Sequence, residues 1–297
     1  MRKTTLVGFI LLVAFLVAGA RAYAAGFPVQ QVDAVLGRSA QQLPGSVYKY
    51  SWPRSDLMVK VAGTAIAPGL ALGSWAAFAP RTDNTWVMGD LVLLQSETGP
   101  VIDKLQAGGF SITGVHNHLM NEIPRVMYVH YMGEGGAVEL ARVLKDALGQ
   151  SHTPMGPAAH PAASQKTPGW VTELQSALGR TGKLNGPVLG VSIDRADDDK
   201  VENQIVPPVM GLQTALNFQD AGGKVASTGD FVLIASEVNV VIRTLHQHGI
   251  TVTALHNHML DDSPHLFFMH YWALDDPARV GEGLKAALTE MNLKQQP

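Results

Sequence analysis

The sequence predicts an α+β protein made of two tandem homologous domains, each a mainly antiparallel sheet with helices packed on it. Three observations carry that expectation. From Gly89 to Leu148 the chain aligns without a gap on Gly229 to Leu288, at a constant offset of 140 and with 21 of 60 positions identical. Within each copy, short β-branched and aromatic runs alternate with segments of helical apolar spacing. Between the copies lies "SHTPMGPAAHPAASQKTP", rich in Pro, Ala and Ser and without apolar periodicity, which reads as a linker.

Taken in order, Arg2 and Lys3 precede an apolar run from Leu6 to Ala20 and the small-residue stretch "AGARAYAAG", the pattern of a secretory signal peptide. The expected organisation is therefore a signal peptide over 1–25, a first repeat over 26–150, the linker over 151–168 and a second repeat over 169–297. In the first half "LMVKVAG" and "SWAAFAP" read as strands. "DLVLL" and "DFVLI" are strand-length apolar runs, and "VIDKLQAGG" and "VIRTLHQHG" read as one or two helical turns closed by glycine. "FSITGVHNH" and "ITVTALHNH" return as strands. "RVMYVHYM" and "HLFFMHYW" follow as further strands, then "AVELARVLKDAL" and "PARVGEGLKAAL" carry apolar residues at helical spacing. Asp90 and Asp230 follow Gly at the expected strand starts and read as turn or capping residues; Glu97 and Glu237 read as acids at the positive end of a helix.

Composition narrows the function. With 46% hydrophobic and 16% charged residues, the 297-residue chain is an ordinary globular protein. It has no cysteine, which removes disulfides, a thiolate nucleophile, sulfur-rich zinc sites and a lipid-acceptor cysteine. Without Arg2, Lys3 and Arg21, 19 basic residues face 25 acidic ones, a net charge of −6 with His neutral, so no nucleic-acid partner is expected. The first apolar run is shorter than the roughly 20 residues a membrane span needs. After cleavage no stable membrane anchor is expected, and the location is periplasmic or secreted.

The chemistry-bearing residues are duplicated with the fold. In a strand His116 and His118 share a face, and a hairpin through "LMNEIP" would return His130 beside them. Glu122 lies in the connecting loop. The second copy supplies His256, His258, Asp262 and His270 at matching places. Three imidazoles and a carboxylate suit zinc first, with copper, manganese or iron as alternatives, so the spacing predicts one divalent transition metal site per half. Imidazole must be neutral to bind, so affinity is expected to fall below a pH of about 6.5. Met120, Met127, Met132, Met259 and Met269 lie near the histidines in sequence and keep copper in play. The same sets would serve a metal-dependent hydrolase of the cell envelope, with Glu122 or Asp262 as general base, or a protein binding a small-molecule or envelope ligand without metal. His152 and His160 belong to the linker and read as solvated.

The blocks "GDFVLIASEVNVVIRTL", "TALHNHM", Pro264 and "FMHYW", with Gly89, Asp90, His116 to His118, Pro124, His130 and Tyr131 in the first half, resemble the LppY/LpqO family, domain of unknown function 1259, found in exported bacterial proteins. The resemblance implies the repeat and export and supplies no activity. The lipid-modified cysteine of its mycobacterial lipoproteins has no counterpart here. His116-x-His118-x3-Glu122 is also similar to the first metal motif of the cupins. The segment Val101 to Gly109 reads as helix and the glycine-rich second cupin motif is missing, so the likeness is confined to the ligands.

Overall fold

The computed structural model describes residues 26–156, 167–201 and 203–295; the expected signal peptide and His160 lie outside them. In the first repeat the order is α1 (Val29–Leu36), β1 (Gln41–Leu43), β2 (Val47–Pro53), β3 (Lys60–Val61), β4 (Thr64–Ala65), α2 (Pro68–Ala71) and β5 (Gly73–Pro80). It continues with β6 (Thr85–Leu94), α3 (Gln95–Ala107), β7 (Ser111–His116), β8 (Glu122–Ile123), β9 (Val126–Gly135) and α4 (Ala137–Leu148). The second repeat runs α5 (Gly169–Leu178), β10 (Lys183–Asn185), β11 (Val188–Ile193), β12 (Lys200–Val201), β13 (Gln204–Ile205) and β14 (Thr214–Asp220). Then come β15 (Val225–Ile234), α6 (Ala235–Gln247), β16 (Thr251–His256), β17 (Asp262–Ser263), β18 (Leu266–Asp275) and α7 (Pro277–Leu288). The stretch "LMVKVAG" forms only the two residues of β3, whereas α3 and α6 run to 13 residues each, well beyond the turn or two their glycines suggest.

Each repeat is a six-stranded antiparallel sheet, β1-β2-β5-β6-β9-β7 and β10-β11-β14-β15-β18-β16. Alternation along the strands gives each sheet two apolar faces. On one face Phe78, Val87, Leu91, Val129 and Tyr131 pack with Val32, Val101, Leu140 and Leu144 of the helices; Phe218, Phe231, Met269 and Tyr271 do the same with Leu174, Val241 and Leu284. The helix-free faces meet each other. Ala77, Trp86 and Met88 of the first repeat share a cluster with Met210, Leu212, Val232 and Phe268 of the second, and Val188 and Trp272 join Val92 and Tyr128 in another. The result is four layers, helix, sheet, sheet, helix, with the duplicated histidine segments on the inner faces. Among the described residues no helix is long and apolar enough to cross a membrane.

Two local devices hold the strands that matter. Buried Arg54 donates to Val92 O at 2.8 Å on β6 and to Glu97 Oε2 at 2.7 Å on α3, while pairing Asp56 at 2.9 Å. Arg195 repeats this with Val232 O, Glu237 and Asp197 at 2.9, 2.6 and 2.7 Å. Glu97 Oε2 also accepts the Leu94 N–H at the start of α3, at 2.8 Å, which is the helix-opening role its position predicts. Gly89 is the second device. A Cβ there would overlap the Tyr131 hydroxyl and the Trp75 carbonyl, which hydrogen-bond each other at 3.1 Å across the strand.

Candidate metal centre

Strand β7 pairs with β9 as Ile112↔Tyr131 and then Gly114↔His130, skipping Thr113; β16 skips Thr253 in the same way. The skipped residue is a β-bulge, and it reverses the phase of the strand. Ile112 points into the helix-side core, so in a regular strand His116, four residues on, would point there too. The bulge turns Gly114, His116 and, beyond the strand end, His118 to the inner face. There they meet His130 and, on the next strand, its register partner Asp90.

The sequence spacing predicts two separate sites, and the geometry joins them into one. His116 Nε2 lies 3.0 Å from His256 Nε2, and ring centroids are 3.7 Å apart for His118 and His270 and 3.8 Å for His130 and His258. His118 is stacked on Tyr128 and His258 on Phe268, at 3.3 and 3.5 Å. Ligand atoms of His116, His118 and His130 all fall within 4.8 Å of one another, as do those of His116, His256 and His270 and of His130, His256 and His258. The six predicted histidines are therefore gathered about one approximate twofold between the repeats.

The two predicted carboxylates are not among them. Glu122 starts β8, which pairs with β3 in a small separate sheet, and its Oε1 accepts from Asn117 Nδ2 at 3.2 Å. Asp262 holds the equivalent place, accepting the Leu266 N–H at 2.7 Å and contacting His265 Nδ1 at 2.7 Å. The loop that leaves each histidine strand is drawn away by these pairings, and the Ile123–Pro124 and Ser263–Pro264 peptide bonds within it are cis. Instead Asp90 and Asp230, read from the sequence as turn residues, stand in the middle of ten-residue strands and face the histidines. Asp90 Oδ2 is 3.5 Å from His118 Nε2 and 4.0 Å from His130 Nε2. Asp230 is 3.2 Å from His258 Nε2 and 4.0 Å from His270 Nε2. The available signal was their recurrence at the same offset as the histidines, on alternation with Trp86, Met88 and Val92. Of the methionines, Met132 and Met259 pack between the sheets, Met269 belongs to the helix-side core and Met120 is exposed. His152 is exposed, as a linker residue should be, although its Nδ1 reaches Glu97 Oε1 at 2.9 Å.

Hydrogen bonds settle which ring nitrogen faces the centre. His270 Nδ1 donates to Gly229 O at 2.7 Å and His258 Nδ1 to Gly211 O at 3.1 Å, and the Gly89 backbone holds His130 in the same manner as Gly229 holds His270. In the neutral ring this leaves a lone pair on Nε2. The Nε2 atoms of His118, His130, His258 and His270, and one oxygen each of Asp90 and Asp230, are buried without a hydrogen-bond partner. Burial favours the neutral ring at four of them: it pushes His116 down to about 3, with His270 and His258 adding to the effect, and lowers His118, His130 and His270 as well. Burial also raises the Asp90 carboxyl, and the nearby charge of Asp230 raises it further. Lone pairs and carboxylate oxygens thus face one another, an arrangement that a cation among them would satisfy. A cavity of about 370 Å³ between the sheets is lined by Asp90, His118, His130, Asp230, His258 and His270 along one side.

The family profile of a domain of unknown function, DUF1259, matches the chain twice, over residues 30–150 and 172–290. The chain belongs to this family. The two DUF1259 segments coincide with the two sheets and their helices, so the unit of the family is one repeat and the centre lies where two units meet. No curated protein matches the chain. Two solved structures show a likeness: a trimeric bacterial microcompartment shell protein, PduB, 9% identical with a TM-score of 0.21, and EtuB from Clostridium kluyveri, 7% identical with a TM-score of 0.20. The alignments cover 83% of this DUF1259 chain and 87% of the first structure's, and 84% and 88% for the second.

Proposed function

We propose that the protein is an exported metal-binding protein whose centre is shared by its two repeats. Its ligands are His116, His118, His130, His256, His258 and His270, with Asp90 and Asp230 in place of the loop carboxylates. The carrying observation is the pair His130 and His270: each is held by a strand backbone, at Gly89 and Gly229, and each turns a buried, unpartnered Nε2 toward a carboxylate 4.0 Å away, Asp90 and Asp230. Ligating histidines are commonly anchored this way through the second nitrogen. Donors of nitrogen and carboxylate oxygen suit zinc first, and two histidines with one carboxylate also suit iron or manganese; copper remains the fourth candidate. Export rests on the signal-peptide pattern of residues 1–25.

The test is elemental analysis after reconstitution with zinc, comparing wild type with a His116→Ala, His118→Ala variant altered in one repeat only. A shared centre predicts loss of nearly all bound metal. Retention of half would show two independent sites, and a wild type that binds no metal would overturn the proposal.

The cavity favours a second reading, in which the centre serves a metal-dependent hydrolase or other envelope enzyme. A site meant only for structure is closed by protein ligands, whereas a catalytic one keeps a face open to substrate. A bound metal would supply polarisation of a substrate oxygen or an activated water. The chain's own part would be to orient the substrate and to accept a proton at Asp90 or Asp230. Hydrolysis of ester or phosphoester probes by zinc-loaded protein, abolished in the His116→Ala, His118→Ala variant, would support this reading, and no turnover by loaded protein would remove it.

A further inference from the structure

The repeats are alike around the histidines and unlike across the cavity. In the first repeat Trp75 is the register partner of Asp90, and in the second Ala215 is the partner of Asp230. One strand further, Lys49 on β2 corresponds to Gly190 on β11, because Tyr48 and Leu189 pair with the matching residues Phe78 and Phe218. Two large side chains of the first repeat therefore stand where the second has two small ones. The space left over is part of the cavity, which Lys49, Trp75 and Ala215 all line.

Lys49 is the only lysine or arginine among the cavity-lining residues, and its ammonium lies over the Trp75 ring at 4.6 Å from the centroid. Among the described residues it has no carboxylate within ion-pair distance; Asp90 acts on it only at longer range. Trp75 in turn is seated against Gly211, where a Cβ would come within 2.7 Å of the ring. Ser51 and Ser192, both exposed, line the same cavity and offer hydroxyls, and Asn217 lines it beside them. A half-buried amine held on an aromatic face, short of an ion-pair partner and facing a cavity, is a group that an oxyanion entering the cavity would pair with and hold charged. With a cation among the histidines, the charges of Asp90 and Asp230 are compensated and an incoming anion is not repelled.

We infer that the cavity binds a small molecule through an oxyanion, a carboxylate or a phosphate, which pairs with Lys49 while the rest of the molecule extends toward the histidine centre. This rests on the metal reading above, since the carboxylates need a counter-charge. It goes further by naming the ligand class and by making the two repeats unequal: the first supplies the anion-binding charge, the second supplies room.

Zinc-loaded wild type and its Lys49→Met and Lys49→Arg variants would be titrated by calorimetry with inorganic phosphate and, separately, acetate, with zinc content measured on the same samples. The expected result is saturable binding of at least one anion by wild type. It should weaken at least tenfold in Lys49→Met and be kept within threefold in Lys49→Arg, with zinc content equal in all three. The stronger of the two probes identifies the oxyanion. Equal binding by wild type and Lys49→Met, or no binding of either anion by zinc-loaded wild type, overturns this inference and leaves the metal reading standing. A wild type that holds no zinc overturns both.

Discussion

Replacing Arg54 by methionine would keep the unbranched stem of a fully buried side chain and remove its charged guanidinium head. Glu97, 4% exposed, would then keep only the Leu94 and His152 contacts for a carboxylate that Arg54 now grips through both oxygens. Burial alone would push Glu97 up, yet Arg54 and the His152 and Leu94 amides hold it down to about 2 from an ordinary 4.5. That displacement corresponds to about 3 kcal/mol of stability, in line with the roughly 3–5 kcal/mol lost when one member of a buried pair is removed. At about 2–4 °C per kcal/mol for a chain of this size class, the melting temperature should fall by about 6–20 °C at pH 7. The pH dependence has a definite sign. A depressed carboxyl stabilises fully above pH 4.5 and loses its contribution as pH falls toward about 2, so the gap between variant and wild type should narrow over that interval. Differential scanning calorimetry at pH 7 and pH 3.5 reads both. A melting temperature within 2 °C of wild type at pH 7, or a gap that widens on acidification, would refute the reasoning.

Four further outcomes follow from the same geometry. Because His116 is held at about 3 by burial, protons should compete for its lone pair only near that pH, well below the 6.5 of a free imidazole; the folded protein should retain metal at pH 5, checked by dialysis and elemental analysis. The unfolded chain takes up those protons between about 6.5 and 3, so His116 makes stability decline across that window as pH falls, readable by urea unfolding at several pH values. Asp90→Asn and Asp230→Asn should lower zinc affinity about tenfold or more, whereas Glu122→Gln and Asp262→Asn should leave it within about twofold, measured by competition with a chromogenic chelator. Gly89→Ala should cost about 1–3 kcal/mol or more in urea unfolding, because the added methyl meets the Tyr131 hydroxyl and a backbone carbonyl.

The residues that recur between the halves include the six histidines that the fold gathers, and periodicity gives the sheet-and-helix plan of each repeat. What it could not give was how the repeats sit together. His116 and His256 come within hydrogen-bond distance only because two helix-free sheet faces bury one another, a relation between segments 140 residues apart. Asp90 reads as a turn residue only when the apolar run "DLVLL" is taken as the whole strand; β6 starts five residues earlier, and an acid in the interior of a buried strand has a different meaning from one at a turn. Spacing from His118 suggests Glu122 as a ligand, but the local pairing of β8 with β3 decides where its side chain goes. The bulges at Thr113 and Thr253 leave little mark in the sequence, since a single extra residue barely changes the apolar pattern of so short a strand.

Strands β7 and β16 are the last in their sheets, and an unpaired strand rim is an invitation to aggregation. Here each repeat shields the other's rim: Asn257 Nδ2 donates to Thr113 O at 3.1 Å, and Thr253 Oγ1 to His118 O at 2.6 Å. A single repeat cut from the chain would carry a bare rim, a naked apolar face and half a set of imidazoles. In the intact chain the partner repeat, tethered by the linker, covers all three at once, so neither repeat presents them to a second molecule.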